Sequence, residues 1–244
     1  MLQVSELRQL DGLLLKPQVA LTVSDREPFT QIQKVIRGAP KTVPLFLEIR
    51  IDCFRRWDNN SILQRIHTLR KLGLPLIATI RSKKEGGRKT LSDSRRLELF
   101  KSVLPSVQMI DVELASNRLR ERLIPLAHRK GKKVILSYHN FCSTPSEKAL
   151  TLLMKKAKRA GADWIKIAVT AQKKSDVARL LLFTQHHRNQ NLITLSMGKL
   201  GQPSRVLGFL FGSRLTYSFI GRAHAPGQLA FPEFLRELKS LQID

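Results

Sequence analysis

The stretch that decides the fold class is Leu45-Phe-Leu-Glu-Ile-Arg-Ile-Asp52. Its odd-numbered residues are all aliphatic, whereas Glu48, Arg50 and Asp52 occupy even-numbered positions. Because successive side chains of a β-strand point to opposite faces, this pattern predicts a strand with one apolar and one ionisable face. An amphipathic edge strand with its polar side in water shows the same alternation. The neighbouring runs separate the two interpretations.

The same alternation recurs in three later apolar runs. Asp111 and Glu113 alternate with aliphatic residues in one run. His139 lies near the end of the second, and Lys166 stands between two isoleucines in the third. Strands that aim ionisable groups the same way indicate a shared interior, because buried charges persist only when they are paired or functional. The expected charged residues of this lumen are Glu48, Arg50, Asp52, Arg81, Asp111, Glu113 and Lys166.

Short apolar runs divide the chain at intervals of roughly 23 to 34 residues, enough for a strand, a helix and two loops. The eight runs begin near Val19, Leu45, Leu74, Met109, Lys133, Trp164, Leu192 and Leu215. Such spacing implies parallel strands. With no linker or change in composition, it predicts a single α/β domain over residues 1–244, a (β/α)8 TIM barrel. A doubly wound sheet has the same periodicity.

The composition excludes several classes of protein. With 244 residues, 42% hydrophobic and 25% charged, the chain can bury a core and is neither disordered nor collagen-like. Two cysteines make no disulfide framework, and no Cys/His spacing suggests a metal site. Charged residues interrupt the first eighteen positions, and no run approaches the ~20 apolar residues of a membrane helix. We therefore expect a cytoplasmic protein without a membrane partner.

The net charge of +24, from 43 basic and 19 acidic residues, suggests by itself a polyanionic partner such as nucleic acid. The basic residues, however, recur in every predicted helix and its flanks and form no tail or block. No zinc finger or RRM-type aromatic motif is present in the sequence. We interpret these residues as the solvated outer faces of helices and expect no nucleic-acid partner.

Lys166 is the most informative single residue. In the run Trp164-Ile-Lys-Ile-Ala-Val169 its ammonium form is disfavoured by loss of hydration. Desolvation and nearby arginines would lower its pKa from about 10.4 and leave a free amine able to attack a carbonyl. A structural lysine paired with Asp111 or Glu113 explains the position equally well.

His139 ends a predicted strand, where its imidazole could exchange protons above the lumen. Glu85 lies in the loop after the third strand and could orient this histidine. Considered one at a time, His139 is more simply interpreted as a structural histidine and Glu85 as a solvated acid in a basic loop. The presence of Lys166 in the same lumen favours a catalytic interpretation of both residues.

Two predicted loops late in the chain are suited to bind an anion. Ser196 to Arg205 follows the seventh strand, where barrels often bind phosphate, and Arg205 could bind a carboxylate through two parallel hydrogen bonds. Gly221 to Gln228 follows the eighth strand and could act as a mobile lid. Turns with Gly and Pro also serve as plain connectors.

Together these residues resemble the type I 3-dehydroquinate dehydratases, the Schiff-base enzymes of the shikimate pathway. The resemblance runs from about Val19 to Glu233. It rests on Glu48-Ile-Arg50-Ile-Asp52, Thr79-Ile-Arg81 through Glu85-Gly-Gly, Ser137-Tyr-His139-Asn-Phe, Ile165-Lys166-Ile, Ser196-Met197-Gly-Lys, Ser204-Arg205 through Phe211-Gly-Ser, and Ala225-Pro-Gly-Gln228. It implies a single barrel, usually a homodimer, with no metal or organic cofactor.

The resemblance also implies a role for each matching residue. Lys166 would form an imine with the C3 ketone of 3-dehydroquinate, His139 would move the protons, and Glu85 would hold His139. The product would be 3-dehydroshikimate. The implied substrate-binding residues are Glu48, Arg50, Arg81, Met197, Arg205 and Gln228. We add His224 to them because it lies in the segment expected to close over the substrate.

The sequence departs from the family pattern at the lid. His224 stands where a serine is usual, so its imidazole would either contact the anionic substrate or point to solvent. Tyr217 replaces a common phenylalanine, and the high positive charge is unusual for the family. Two other functions remain open from the residues: a class I aldolase-type lyase on the same barrel and lysine, and a basic nucleic-acid-binding protein on an inactive barrel.

Overall fold

The computed structural model describes residues 16–242, within which eight strands alternate with eight α-helices. The strands are β1 (Val19–Val23), β2 (Leu45–Arg50), β3 (Leu76–Thr79), β4 (Met109–Glu113), β5 (Lys133–Asn140), β6 (Trp164–Thr170), β7 (Leu192–Met197) and β8 (Thr216–Phe219). The helices are α1 (Phe29–Arg37), α2 (Asn59–Arg70), α3 (Asp93–Val103), α4 (Asn117–Arg129), α5 (Glu147–Arg159), α6 (Lys174–His186), α7 (Gln202–Leu207) and α8 (Phe231–Ser240). Most of the charged residues that interrupt the first eighteen positions lie in residues 1–15, outside the described range.

All the strand pairs are parallel, and they follow chain order from β1 to β7 with β8 paired to β1. The remaining seam, between β7 and β8, is joined by the Arg214 amide, which donates to the Leu192 carbonyl at 2.7 Å. The Thr194 amide donates across the same seam to Ser213 Oγ at 3.0 Å. The sheet is therefore a near-closed (β/α)8 barrel, as the spacing predicts, and not a doubly wound sheet.

The strand alternation also holds, with one local difference. Strand β2 ends at Arg50, and Ile51–Cys53 forms a 3₁₀ turn instead of continuing the strand. The reason lies in Asp52, whose carboxylate accepts hydrogen bonds from the backbone amides of Arg81 and Arg88. This side chain ties the end of β2 to the connection after β3.

The hydrophobic core has two layers. The larger layer lies between the outer face of the strands and the helices, as expected for the aliphatic side of β2. The smaller layer fills the lumen and includes Ile77, Ile135 and Ile193. Phe46 and Trp164 pack against its lower end with ring centroids 6.3 Å apart. The lower lumen is thus filled with apolar side chains, and its upper part carries the charged ones.

Polar caps fix where several helices begin. The side chains of Asp58, Ser92 and Ser146 each accept a hydrogen bond from a backbone amide in the first turn of α2, α3 and α5, respectively. These caps begin the helices at the end of the barrel where the strands finish, next to the connections that follow β2, β3 and β5. None of the helices described between residues 16 and 242 is long and apolar enough to cross a bilayer.

Candidate active site

The residues that the sequence nominates for catalysis and substrate binding line one cavity at the carboxyl ends of the strands. The cavity has a volume of about 80 Å³ and opens to solvent. The ten nominated residues around it are Glu48, Arg50, Arg81, Glu85, His139, Lys166, Met197, Arg205, His224 and Gln228. They come from six strands and the segments that follow them, which is how this fold assembles catalytic sites. Their chemical roles remain predictions at this point.

Lys166 projects from β6 into the lumen and is only 5% exposed. Its Nζ lies 3.2 Å from Asp111 Oδ2, 3.8 Å from Glu48 Oε1 and 3.7 Å above the centre of the Tyr217 ring. Burial lowers the pKa of Lys166, while Asp111 and Glu48 oppose that shift. The lysine thus has the ion pair that a structural interpretation requires, although burial still favours the free amine.

Asp111 belongs to a buried network that spans three strands. Arg81 Nη2 lies 2.8 Å from Asp111 Oδ2, and Ser137 Oγ donates to Asp111 Oδ1 at 2.6 Å. Burial alone would raise the pKa of Asp111, but Arg81 and Lys166 outweigh it and hold that pKa below its ordinary range. Asp111 therefore stays ionised beside the lysine.

Glu113 is not the partner of Lys166. Its carboxylate accepts a hydrogen bond from the Ser82 amide at 2.7 Å and pairs with Arg81 and with Arg96. Arg96, on α3, is 2% exposed and also donates to the Ile80 carbonyl. The sequence analysis did not single out Arg96, because its helical position resembles that of the solvated arginines around it.

His139 stands above Lys166 on the adjacent strand. In the β5–β6 register Ser137 pairs with Lys166, so His139 points into the lumen one layer nearer the carboxyl end. Glu85 Oε2 lies 2.8 Å from His139 Nδ1 and 3.1 Å from its backbone nitrogen. With Nδ1 held by Glu85, Nε2 is the nitrogen left for a substrate.

Burial disfavours both the ionised carboxylate of Glu85 and the protonated imidazole of His139. It raises the pKa of Glu85 to about 7, a shift that Arg81 opposes and Glu113 adds to. It also lowers the pKa of His139, with Arg81 and Lys166 acting in the same direction. His139 is therefore a neutral imidazole near pH 7 and can accept a proton.

Thr22, on β1, is a lining residue that the sequence analysis missed. Its hydroxyl donates to Glu48 Oε2 at 2.9 Å and lies 3.3 Å from the Gln228 amide nitrogen, which donates to it. Thr79 donates to the other oxygen of Glu48 at 3.0 Å. The sequence does contain a signal for this residue, because Thr22 is the one polar residue in an otherwise aliphatic strand. These contacts fix both Glu48 and Gln228 at the cavity wall.

Arg205 lies on the short helix α7, whereas the sequence suggested a loop. Its Nη2 donates to the Pro226 carbonyl at 3.1 Å, and its Nε has no hydrogen-bond partner among residues 16–242. Burial lowers the pKa of Arg205 to about 10. A buried guanidinium with an unused donor is suited to bind a carboxylate.

The segment after β8 closes one side of the cavity. His224 is partly buried, with Nδ1 3.6 Å from Cys53 Sγ and a buried Nε2 that has no partner within residues 16–242. Burial lowers the pKa of His224, so its imidazole is neutral near pH 7. The backbone amide of His224 donates to Gln228 Oε1 at 2.9 Å. The imidazole therefore faces the cavity wall and does not extend into solvent.

This arrangement supports a defined class of chemistry. A buried amine with a depressed pKa can add to a carbonyl, and a neutral imidazole one layer above can move protons at the adjacent carbon. An unsatisfied arginine provides a subsite for an anion. Together these groups suit a small carboxylic acid that carries a ketone.

Comparison with known proteins identifies the family. A model of the type I 3-dehydroquinase family matches residues 19–244. The 3-dehydroquinate dehydratase of Thermodesulfovibrio yellowstonii is 33% identical over 223 residues, covering 91% of this chain and 95% of that protein. The 3-dehydroquinate dehydratase of Aquifex aeolicus is 36% identical over 206 residues, covering 84% and 92%.

Solved structures agree with the sequence comparison. The crystal structure of 3-dehydroquinate dehydratase from Geobacillus kaustophilus superimposes with a TM-score of 0.83 at 31% identity and covers 93% of this chain and 91% of that one. A crystal structure of the type I enzyme from Clostridium difficile gives 0.82 at 30% identity, covering 93% and 92%. The family match, the curated relatives and the solved structures extend over nearly the whole chain, which belongs to the type I 3-dehydroquinase family.

Proposed function

We propose that Lys166 is the residue through which this chain dehydrates 3-dehydroquinate, by way of a Schiff base. As a type I 3-dehydroquinase the chain is a hydro-lyase of the shikimate pathway, which forms 3-dehydroshikimate and water. The observation that carries the assignment to Lys166 is its position, since its amine is buried in the cavity one layer below His139. Membership of this family favours dehydration over aldol cleavage on the same scaffold.

In the first step the free amine of Lys166 adds to the C3 carbonyl. Loss of one water and uptake of one proton from solvent give a protonated imine, and that proton is released again when the imine is hydrolysed to the free amine. Asp111, ionised at 3.2 Å from Nζ, stabilises the positive charge that the imine nitrogen carries. The imine is a far better electron sink than the ketone. The proton at C2 therefore becomes acidic enough for an imidazole to remove.

His139 serves first as a base and then as an acid. Its neutral imidazole takes the C2 proton, and the electron pair left behind forms an enamine with the imine carbon. The enamine then expels the C1 hydroxyl, which leaves as water with the proton that His139 returns. Hydrolysis of the conjugated imine consumes one water, releases 3-dehydroshikimate and regenerates Lys166. Glu85 stabilises the imidazolium through the 2.8 Å contact to Nδ1.

The substrate carboxylate is assigned to Arg205, whose buried Nε lacks a partner among the described residues. Gln228, Glu48 and Arg50 are assigned to the ring hydroxyls, because their polar groups surround the same cavity. His224 adds a hydrogen bond through its Nε2, which has no partner within residues 16–242. Burial lowers the pKa of His224, so this contact is that of a neutral imidazole above about pH 6.5 and not an ion pair.

A direct assay tests the proposed function. Mixing the protein with 3-dehydroquinate should produce the ultraviolet absorbance of a conjugated enone, and Lys166→Met should abolish it. Lys174→Met, at an exposed lysine at the start of α6, is the matched control and should retain full activity. Full activity in Lys166→Met would reject the assignment of the nucleophile. Turnover of an aldol substrate with no enone product would favour the aldolase alternative.

We further propose that the enzyme acts as a homodimer in the cytoplasm. The homodimer rests on the family resemblance and is tested by light scattering of the purified protein. A monomer mass would contradict it. The cytoplasmic location is supported by Cys53 and Cys142, both of which are free thiols, as is usual in a reducing compartment.

A further inference from the structure

The end of the barrel opposite the cavity carries a distinct charge pattern. Because the strands are parallel, every connection from a helix to the next strand opens on that end. We call this end the basal face. It comprises the stretches 16–18, 34–44, 67–75, 100–108, 126–133, 156–163, 183–191 and 208–215.

Lysines and arginines dominate the basal face, and most of them are exposed. They are Lys16, Lys34, Arg37, Lys41, Arg70, Lys71, Lys101, Arg129, Lys130, Lys132, Lys133, Lys156, Lys158, Arg159, Arg188 and Arg214. The one carboxylate in these stretches is Asp163, which already pairs with Lys133 at 2.9 Å and His128 at 2.8 Å. Nearby, the last turn of α8 adds Glu237 and Lys239, which offset each other.

Helix dipoles account for only part of this charge. A cation in the last turn of a helix complements the negative end of the macrodipole. Lys41, Lys132, Arg188 and Arg214, however, lie outside the helices and their C-caps, in the connections themselves. Like charges gathered in this way repel one another and cost stability. A polyanion bound to the face would offset that cost.

The other end of the barrel is mixed in charge. Its connections and first helical turns include the carboxylates of Asp25, Asp58, Asp93, Glu147 and Asp176 between its cations. The excess positive charge of the chain is therefore concentrated on the basal face. This concentration is invisible in the sequence, because the contributing stretches are separated by whole βα units.

We propose that the basal face binds the phosphate backbone of nucleic acid. Nucleic-acid interfaces are far more positively charged than those between proteins, which are depleted in lysine and require a buried apolar centre. The basal face is rich in lysine, and its cations come from every side of the barrel axis. Such a surface fits a uniformly charged backbone, without preference for base sequence. Binding there leaves the cavity at the opposite end open.

Two matched variants test this proposal in the full-length protein. The basal variant combines Arg37→Gln, Lys71→Gln, Lys130→Gln and Arg159→Gln. The control combines Arg118→Gln, Arg122→Gln, Lys148→Gln and Lys174→Gln, on α4, α5 and α6 away from the basal face. Each set removes two arginines and two lysines, and all eight side chains are exposed. The probe is a short fluorescent DNA duplex of mixed sequence, titrated at several salt concentrations.

We expect the unmodified protein to bind the duplex with an affinity that falls steeply with salt. The basal variant should bind at least about tenfold more weakly at low salt, with a slope of log K against log salt reduced by about 3 to 4. The control should stay within about twofold of the unmodified protein, and all three should dehydrate 3-dehydroquinate equally. Equal weakening in the control, absence of duplex binding, or binding to anionic lipid vesicles in place of DNA would each overturn the proposal.

Discussion

His139 is fixed by a single carboxylate oxygen of Glu85, which contacts both its ring and its backbone nitrogen. We expect His139→Ala to retain imine formation at Lys166, because the amine and its partner Asp111 are untouched. Turnover should fall by about 10²–10⁴, the usual contribution of a general acid–base group. His186→Ala, at an exposed histidine on α6, is the control and should leave turnover unchanged. Near-normal turnover of His139→Ala would remove that residue from the mechanism.

The Glu85–His139 pair also sets a pH dependence. Burial raises the pKa of Glu85 to about 7, so the carboxyl is neutral below that pH and ionised above it. Only the ionised form stabilises the imidazolium. We therefore expect kcat/KM to rise as the pH increases through about 7, an apparent value that belongs to the pair as a unit.

Glu85→Gln checks this origin of the pH profile, since an amide cannot ionise. The variant should be slow at every pH and should lack the rise near pH 7, in a profile measured from about pH 5 to about pH 9. A rise of unchanged position and size in the variant would show that another group is responsible.

The segment from Gly221 to Gln228 is seated by a close backbone approach. Gly227 has φ +71°, and a Cβ there would lie 2.3 Å from the Gly198 carbonyl oxygen. Gly227→Ala should therefore push the segment away from β7 and displace Gln228, which lies on the cavity wall. We expect KM for 3-dehydroquinate to rise at least about tenfold, in steady-state assays, as carboxylate and hydroxyl contacts are lost.

Gly73→Ala provides the matched control. Gly73 has nearly the same φ, +72°, but a Cβ there would meet nothing within 4 Å. Both variants carry a strain of about 1–2 kcal/mol from the left-handed backbone, and only one has the steric clash. A KM for Gly227→Ala no higher than that for Gly73→Ala would show that this contact does not position the binding residues.

The whole barrel depends on the balance of charges in its upper lumen. Arg96 compensates Glu113, which is otherwise buried beside Arg81 alone. Arg96→Met should cost about 3–5 kcal/mol in the free energy of unfolding. It leaves the buried Glu113 with only Arg81, which Asp111 shares, and it removes the donor to the Ile80 carbonyl. Urea denaturation measures this loss.

The neighbouring Arg95 is the control, because its ion pair with Glu98 is exposed. Arg95→Met should cost less than about 1 kcal/mol. A loss in Arg96→Met as small as that in Arg95→Met would contradict a structural role for the buried network.

The sequence predicts the barrel and the lumen positions on its strands because alternation along a strand is a local property. The cavity residues outside the strands were nominated by their place in the loops and by the family resemblance. The sequence places Lys166 and His139 in the same lumen from parity alone. It does not reveal Arg96, whose burial depends on how α3 packs against β3 and β4. It likewise places Arg205 in a loop, since the six residues of α7 are too few to show a helical period. The basal face is hidden for a similar reason, because only the closed sheet brings its stretches together.

The most direct test of the proposed chemistry is to reduce the intermediate with borohydride during turnover of 3-dehydroquinate and to locate the adduct by peptide mass. The mechanism predicts a substrate-derived adduct on Lys166, its absence in Lys166→Met, and its presence in His139→Ala. An adduct on another lysine, or none in a protein that is turning over, would contradict the central role of Lys166.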